Sequence, residues 1–317
     1  MRVIIIGRGN MLANLIRGCM LSKVDIVGVL RYENLYLSKF DLLLHDLFKS
    51  SPDLTLIKKH KLYDIKCKSA NSAQFKNEIL KLNADILLVG TWAEKLSNDV
   101  INMPAIGSIN VHPSLLPKYR GATPIESAIL NCDKITGLSF MVMSPQLDAG
   151  DIINQVKIKI DDRETGTSLR EKVKKSIRDY LTNNLDKLFD KNIKTTIQDE
   201  TKVIFVNPIT REDEKIDWKT SAKLIDAKIR ALYDKRIAYT IINGLNIKVY
   251  EANIVDGLNI EKPSCGEIVD INNQGIFVSC KDKTICLQKI QLPGKKPANV
   301  KQIVNGRLPF KKGDKFN

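Results

Sequence analysis

The sequence predicts an α/β fold, a doubly wound and mostly parallel sheet followed by a small OB-like antiparallel β-barrel domain. Three observations carry that expectation. From residue 2 to about 150, short apolar runs alternate with helical patterns. Residues 165–190 keep one apolar stripe long enough for a single helix. After about residue 190 the chain breaks into short strand-like runs separated by Asn-Gly and Asn-Asn turns.

In order, residues 2–6 read as a buried strand and residues 11–20 as the helix after it. Residues 24–30 form the next strand, apolar apart from Asp25, which suits a sheet covered on both faces. Residues 75–82, with Phe75, Ile79, Leu80 and Leu82, read as a helix leading into a strand over 84–89. A strand over 106–111, a helix over 124–130 and a strand over 138–143 complete the alternation. In the long helix, Leu169, Val173, Ile177, Leu181, Leu185 and Leu188 recur in steps of three or four, which is a packing face. Beyond it come a helix over 221–232 and strands over 237–242, 247–252, 266–271, 275–280 and 284–292, with turns at Asn243-Gly244 and Asn272-Asn273. Several short strands at this spacing suggest a small antiparallel barrel. The expected division is a first domain over 1–190, a linker over 191–210 containing Pro208, and the barrel over 211–317. No internal repeat or low-complexity tract interrupts it.

The chain has 317 residues, 43% hydrophobic and 27% charged, a globular rather than a disordered composition. Six cysteines occur without any CxxC pair, so neither a thiolate metal site nor a disulfide framework is expected. The opening run Val3-Ile4-Ile5-Ile6-Gly7 is too short for a membrane span or a secretory core, and the expected compartment is the cytoplasm. The net charge is +14, and residues 281–317 carry ten Lys or Arg against two Asp. That clustering suits an anionic partner, including nucleic acid. Lysine spread over the whole chain accounts for the charge equally well.

The most informative segment is Ser108-Ile109-Asn110-Val111-His112-Pro113-Ser114-Leu115-Leu116-Pro117-Lys118-Tyr119-Arg120-Gly121. Along a strand, residues two apart share a face, so Asn110 and His112 project side by side. Pro113 ends the strand, and they therefore stand at its carboxyl end, where open α/β sheets bind ligands. A strand-end histidine alone is more often structural than catalytic. A neighbouring amide on the same face and a following loop dense in Pro and Gly favour chemistry. An Asn amide donates without charge to an oxygen that becomes negative, and His handles protons near neutral pH. The second segment, Gln146-Leu147-Asp148-Ala149-Gly150, reads first as a turn. It follows a strand, so Asp148 can return to the same sheet edge, where a carboxylate fixes the tautomer of a histidine. Gly7-Arg8-Gly9 lacks the third glycine of a dinucleotide fingerprint, and no acidic ribose ligand follows the second strand, which excludes a dehydrogenase.

Asn110-x-His112-Pro-Ser-Leu-Leu-Pro followed by Asp148-x-Gly150 resembles the folate-dependent formyltransferases, a family acting on methionyl-tRNA, glycinamide ribonucleotide and nucleotide-linked amino sugars. The likeness continues through Tyr119-Arg120-Gly121-Ala122-Thr123-Pro124-Ile125, Lys215-Ile216-Asp217-Trp218, Ser221-Ala222, Ile229-Arg230-Ala231 and Leu292-Pro293-Gly294-Lys295-Lys296. It is weak between residues 31 and 75. The resemblance implies a Rossmann-like formyltransferase core with Asn110, His112 and Asp148 as catalytic residues. It implies 10-formyltetrahydrofolate as formyl donor, bound by Gly90, Thr91, Trp92, Ala93, Leu96 and Leu147, and an acceptor side formed by Ser114, Leu115, Leu116, Pro117, Arg120 and Gly121. Asn110 and a protonated His112 would stabilise the tetrahedral oxyanion, and Asp148 would position His112 and assist proton movement. No metal and no membrane enter this chemistry.

The resemblance leaves the acceptor amine open. Initiator methionyl-tRNA fits the second domain and its basic end, with Lys295, Lys296, Lys311, Lys312 and Lys315 as candidate phosphate contacts. An amino-sugar nucleotide is the alternative. The basic, glycine-containing loop usual in the tRNA enzymes is missing from residues 31–40, their tryptophan-proline pair is replaced by Leu232-Tyr233-Asp234-Lys235-Arg236, and Pro113 is more typical of the sugar and nucleotide enzymes. A non-catalytic RNA-binding paralogue is the third reading.

Overall fold

The computed structural model describes residues 1–22, 24–37, 41–42, 46, 51–190, 192–255, 264–306 and 308–317. The chain forms two compact units. The first comprises Met1–Gly121, Thr136–Ile158 and Glu171–Val206, and the second Ala122–Ile135, Lys159–Arg170 and Asn207–Asn317. The expectation drawn from residues 38–40, that no basic loop stands there, lies outside the described residues.

The first unit is built on a six-stranded sheet. Its strands are β1 (Arg2–Gly7), β2 (Asp25–Arg31), β3 (Ile86–Gly90), β4 (Gly107–His112), β6 (Ile135–Val142) and β7 (Ile152–Lys159). They lie in the order β2-β1-β3-β4-β6-β7. The pairs β1–β2, β1–β3 and β3–β4 are parallel, and β4–β6 is antiparallel. Parallel strands buried on both faces explain the unbroken apolar runs. Val3, Ile4, Ile5, Ile6, Ile86, Leu87 and Leu88 are fully buried. The expected strand over 84–89 begins two residues later, where Asp85 caps the sheet edge by accepting from the Arg2 amide at 2.8 Å. β7 was not foreseen. It reads mostly half-buried or exposed (Ile152-Ile153-Asn154-Gln155-Val156), so it carries no clean apolar run.

Gly9–Leu21 and Gly166–Leu188 are the helices expected on either side of that reading. Every residue of the predicted stripe, Leu169 through Leu188, is at most 2% exposed. A short pair, β5 (Arg120–Gly121) with β8 (Phe205–Val206), runs parallel beside the main sheet.

In the second unit, β9 (Tyr239–Ile242), β10 (Leu245–Val255), β11 (Ile268–Asn272), β12 (Gly275–Ser279), β13 (Thr284–Gln291) and β14 (Ala298–Asn299) form an antiparallel half-barrel. The β9–β10 hairpin turns on Asn243 and Gly244, with φ of 49° and 76°, both left-handed as a two-residue hairpin requires. Register shifts at Val249, Glu251 and Ala252 bend the eleven-residue β10. The core inside includes Trp218, Ile229, Ile247, Ile276, Leu287 and Phe316, and the helix Ala222–Leu232, capped by Ser221, packs on it.

Candidate active site

β4 places Asn110 and His112 at the carboxyl edge of the sheet, between β3 and β6. Asn110 pairs with Val89 on one side and Met141 on the other, and His112 pairs with Ser139. The His112 ring is buried, and its Nε2–H donates to the Tyr119 carbonyl at 2.8 Å. Its Nδ1 lies 3.5 Å from Asp148 Oδ2. Both ring nitrogens thus face oxygen acceptors, the Tyr119 carbonyl on one side and the Asp148 carboxylate on the other.

Asp148 is 9% exposed and gathers the site. Its Oδ1 accepts from Asn110 Nδ2 at 3.3 Å, and its Oδ2 accepts from the Gly121 amide at 2.9 Å. An amide has two N–H donors, so the one facing Asp148 leaves Asn110 a second for a substrate oxygen. The half-buried Asn110, the imidazole and the carboxylate form one connected set. It can polarise a carbonyl, stabilise the oxyanion that follows, and hold a proton at His112.

Local geometry explains the residue types in the loops. Thr91, Tyr119 and Asp148 adopt left-handed φ of 56°, 62° and 50°, one in each loop around the site. Backbone of this kind is costly for residues other than glycine and clusters at functional sites. Gly150 is required by a close approach: a Cβ there would fall 1.7 Å from the Val142 carbonyl oxygen. The Asp-x-Gly sequence is therefore a carboxylate followed by the only residue that lets its turn close on β6.

Of the residues implied for the donor, Thr91 and Ala93 are exposed, Leu147 is 65% exposed, and Gly90 and Leu96 are buried beneath them. Trp92 packs on the core with its ring edge-on to Tyr32 at 5.4 Å. Its Nε1 is buried and has no hydrogen-bond partner among the described residues. Of those implied for the acceptor, Ser114 and Leu116 are buried, Pro117 and Gly121 half-buried, and Leu115 is packed against β6 at Gly137. Ser139 Oγ donates to the Ser114 carbonyl and accepts from the Leu116 amide, fixing that loop. Arg120 is 2% exposed, and its guanidinium is held inside the fold by Gln198 Oε1 and Glu200.

Three residues near the site carried no signal in the sequence. Glu94 accepts from Ser69 Oγ and from the Ala70 amide at 2.8 Å. Asn71 donates to the Lys95 carbonyl and accepts from the Ser97 amide at 2.7 Å. Together they pin the loop after β3. Gln198 does the same for the Asp148 turn. Each pairing spans more than twenty residues of sequence and matches no local pattern. At β1, the Gly9 amide donates to Asp53 Oδ2 at 3.1 Å, and Asp53 is 1% exposed. That carboxylate occupies the helix N-terminus where a dinucleotide would place its pyrophosphate.

Comparison with known proteins agrees with this fold. Residues 1–185 match the family model described as Formyl transferase, and residues 208–308 match Formyl transferase, C-terminal domain. A methionyl-tRNA formyltransferase from Buchnera aphidicola subsp. Acyrthosiphon pisum is 35% identical over 234 residues, covering 74% of this chain and 74% of that protein. The N-formyltransferase from Helicobacter canadensis, in complex with folinic acid and dTDP-3-aminofucose, aligns with a TM-score of 0.66 at 17% identity, over 90% of this chain and 98% of its own. HypX from Aquifex aeolicus, in complex with tetrahydrofolic acid, aligns with a TM-score of 0.59 at 14% identity. That match covers 100% of this chain and 50% of HypX, so the chain spans half its length. At such identities the two structures share the fold. Among the described residues there is no helix long and apolar enough to cross a membrane, and no group of three or more His, Cys, Asp or Glu arranged to hold a metal ion.

Proposed function

The chain belongs to the formyl transferase family, and we propose that it carries the formyl group of 10-formyltetrahydrofolate to the amino group of methionyl-initiator-tRNA. The observation that carries the acceptor is the 35% identity to a methionyl-tRNA formyltransferase over 74% of both chains. The basic surface of the second unit supports it, since Lys295, Lys296, Lys311, Lys312 and Lys315 are all exposed. The donor reading is supported by folate derivatives bound in two proteins of the same fold.

In the reaction, the amine nitrogen attacks the formyl carbon and a new C–N bond forms as the carbonyl oxygen becomes an oxyanion. Asn110 Nδ2 is the donor to that oxygen, and His112, beside it at the end of β4, is the second group proposed to stabilise it. Collapse breaks the bond from the formyl carbon to the folate nitrogen, and the proton lost by the amine goes to that nitrogen. Asp148 Oδ2, 3.5 Å from His112 Nδ1, positions the ring and is the carboxylate proposed to assist that proton movement. The exposed rim of Thr91, Ala93 and Leu147 is the surface offered to the donor, with Gly90, Trp92 and Leu96 behind it.

An amino-sugar nucleotide is the second reading. Two features favour it: Pro113 follows His112, and residues 31–37 hold Tyr32, Glu33 and Tyr36 rather than a basic glycine-containing stretch. The fold shared with the dTDP-3-aminofucose complex is in keeping with it. Incubation with 10-formyltetrahydrofolate and either charged initiator tRNA or dTDP- and UDP-linked amino sugars separates the readings. Formylation of Met-tRNA alone is expected. Transfer to a sugar and not to Met-tRNA overturns the tRNA reading.

A further inference from the structure

The segment between the two family regions is not a slack connection on the site side. Thr196 bridges Ile152 through two backbone hydrogen bonds of 2.8 Å, and Phe205–Val206 pairs with Arg120–Gly121. The Ile204 carbonyl also accepts from the Arg120 amide at 2.9 Å. Between these points Gln198 enters the interior, 5% exposed. Its Nε2 donates to the Asp148 carbonyl at 2.9 Å and to the Gly150 carbonyl at 2.7 Å. Its Oε1 accepts from Arg120 Nε at 3.1 Å and Nη2 at 2.9 Å. The outer face of Arg120 is held by Glu200, with Nη2 to Oε1 at 2.7 Å.

We propose that Gln198 is a positioning residue for formyl transfer, clamping the Asp148 turn to the Tyr119–Gly121 loop so that the carboxylate faces His112. The proposal rests on the assignment of Asp148 to the reaction. The amide fits this place with its full hydrogen-bonding capacity: two donors meet two carbonyls, and one oxygen receives two donors from Arg120. Glutamate has no donors for the carbonyls, asparagine is one methylene short, and an apolar side chain leaves the buried polar atoms unpaired. The clamp also holds a backbone that resists its own conformation, since Asp148 sits at a φ of 50°. Both loops it joins carry a partner of the histidine, Tyr119 O on one and Asp148 Oδ2 on the other. A shift in either moves His112 relative to the reacting carbon, and small misplacements of this kind cost large rate factors.

The test is Gln198→Glu, which keeps an acceptor for Arg120 and removes both donors to the Asp148 turn. Steady-state kinetics are measured with the amine the parent enzyme formylates, alongside the Tm and the pH profile of kcat. The expected result is a kcat at least about tenfold lower, a KM for donor and acceptor within about threefold of the parent, and an altered pH profile in a folded protein. A kcat within twofold of the parent, or a lowered Tm with kcat intact, overturns the proposal. If Gln198→Glu does not fold, Arg120→Lys releases one end of the clamp while keeping its charge against Glu200. A kcat drop of about threefold or more is then expected, and an unchanged kcat overturns it. Hydrogen exchange of the Gly121 amide, which donates to Asp148, reads the clamp without turnover. Faster exchange in the variant is expected, and unchanged exchange counts against the clamp. A parent enzyme that formylates no amine tested would fault the catalytic reading itself, and the exchange of the Gly121 amide would still decide the clamp.

Discussion

Asp148 meets Asn110, Gly121 and His112 at once, and the position of each of its oxygens follows from those partners. Asp148→Asn keeps the shape and removes the carboxylate charge beside His112. The turnover number is expected to fall by roughly a hundredfold or more, with melting within a few degrees of the parent. Turnover near that of the parent would remove Asp148 from the mechanism. Asn110 and His112 were legible because a two-residue spacing before a proline fixes both their face and their end of the strand. Gln198, Glu94 and Asn71 were not, because they act through partners far away in the chain. The cysteines give a second expectation at this scale. Burial pushes the Cys19 and Cys280 thiols up to about 12 and the Cys67 and Cys286 thiols up to about 11. A raised thiol stays protonated and unreactive below that range, so at pH 8 the folded protein should react with a thiol reagent at Cys132 and Cys265 only. Six rapid sites before unfolding would contradict the burial of the other four.

At the scale of elements, the helix Gly166–Leu188 and the turn at Gly150 carry different kinds of constraint. The helix contributes packing. Ile177 is fully buried, and Ile177→Ala should lower unfolding stability by about 2–5 kcal/mol in urea titration, with the kinetics of the remaining folded enzyme unchanged. Gly150 contributes position. Gly150→Ala forces a methyl group onto the Val142 carbonyl, so the Asp148 turn must move off β6. Kinetics should show kcat reduced at least tenfold, and a fully active Gly150→Ala enzyme would mean that the turn has no fixed seat. The parallel strands were readable as apolar runs because they are covered on both faces. β7 escaped because its residues alternate irregularly between half-buried and exposed, and β8 because two residues form no pattern. The hairpin at Asn243-Gly244 was readable from its turn chemistry alone.

For the whole molecule, the sequence-level expectation of a sheet followed by a small antiparallel β unit agrees with the structure, while the path between them does not follow from sequence alone. Residues 196–206 fall within the expected linker, yet they bind back onto Ile152, Asp148 and Arg120. The net charge of +14 bears on solubility and association and not on fold. The central claim is that this charge serves a polyphosphate acceptor while Asn110, His112 and Asp148 move the formyl group. The most direct test is the initial rate of transfer from 10-formyltetrahydrofolate to initiator Met-tRNA and to dTDP- and UDP-amino sugars, each between 50 and 200 mM salt. The account predicts transfer to Met-tRNA, with kcat/KM falling steeply as salt rises. Transfer confined to an amino sugar would contradict it.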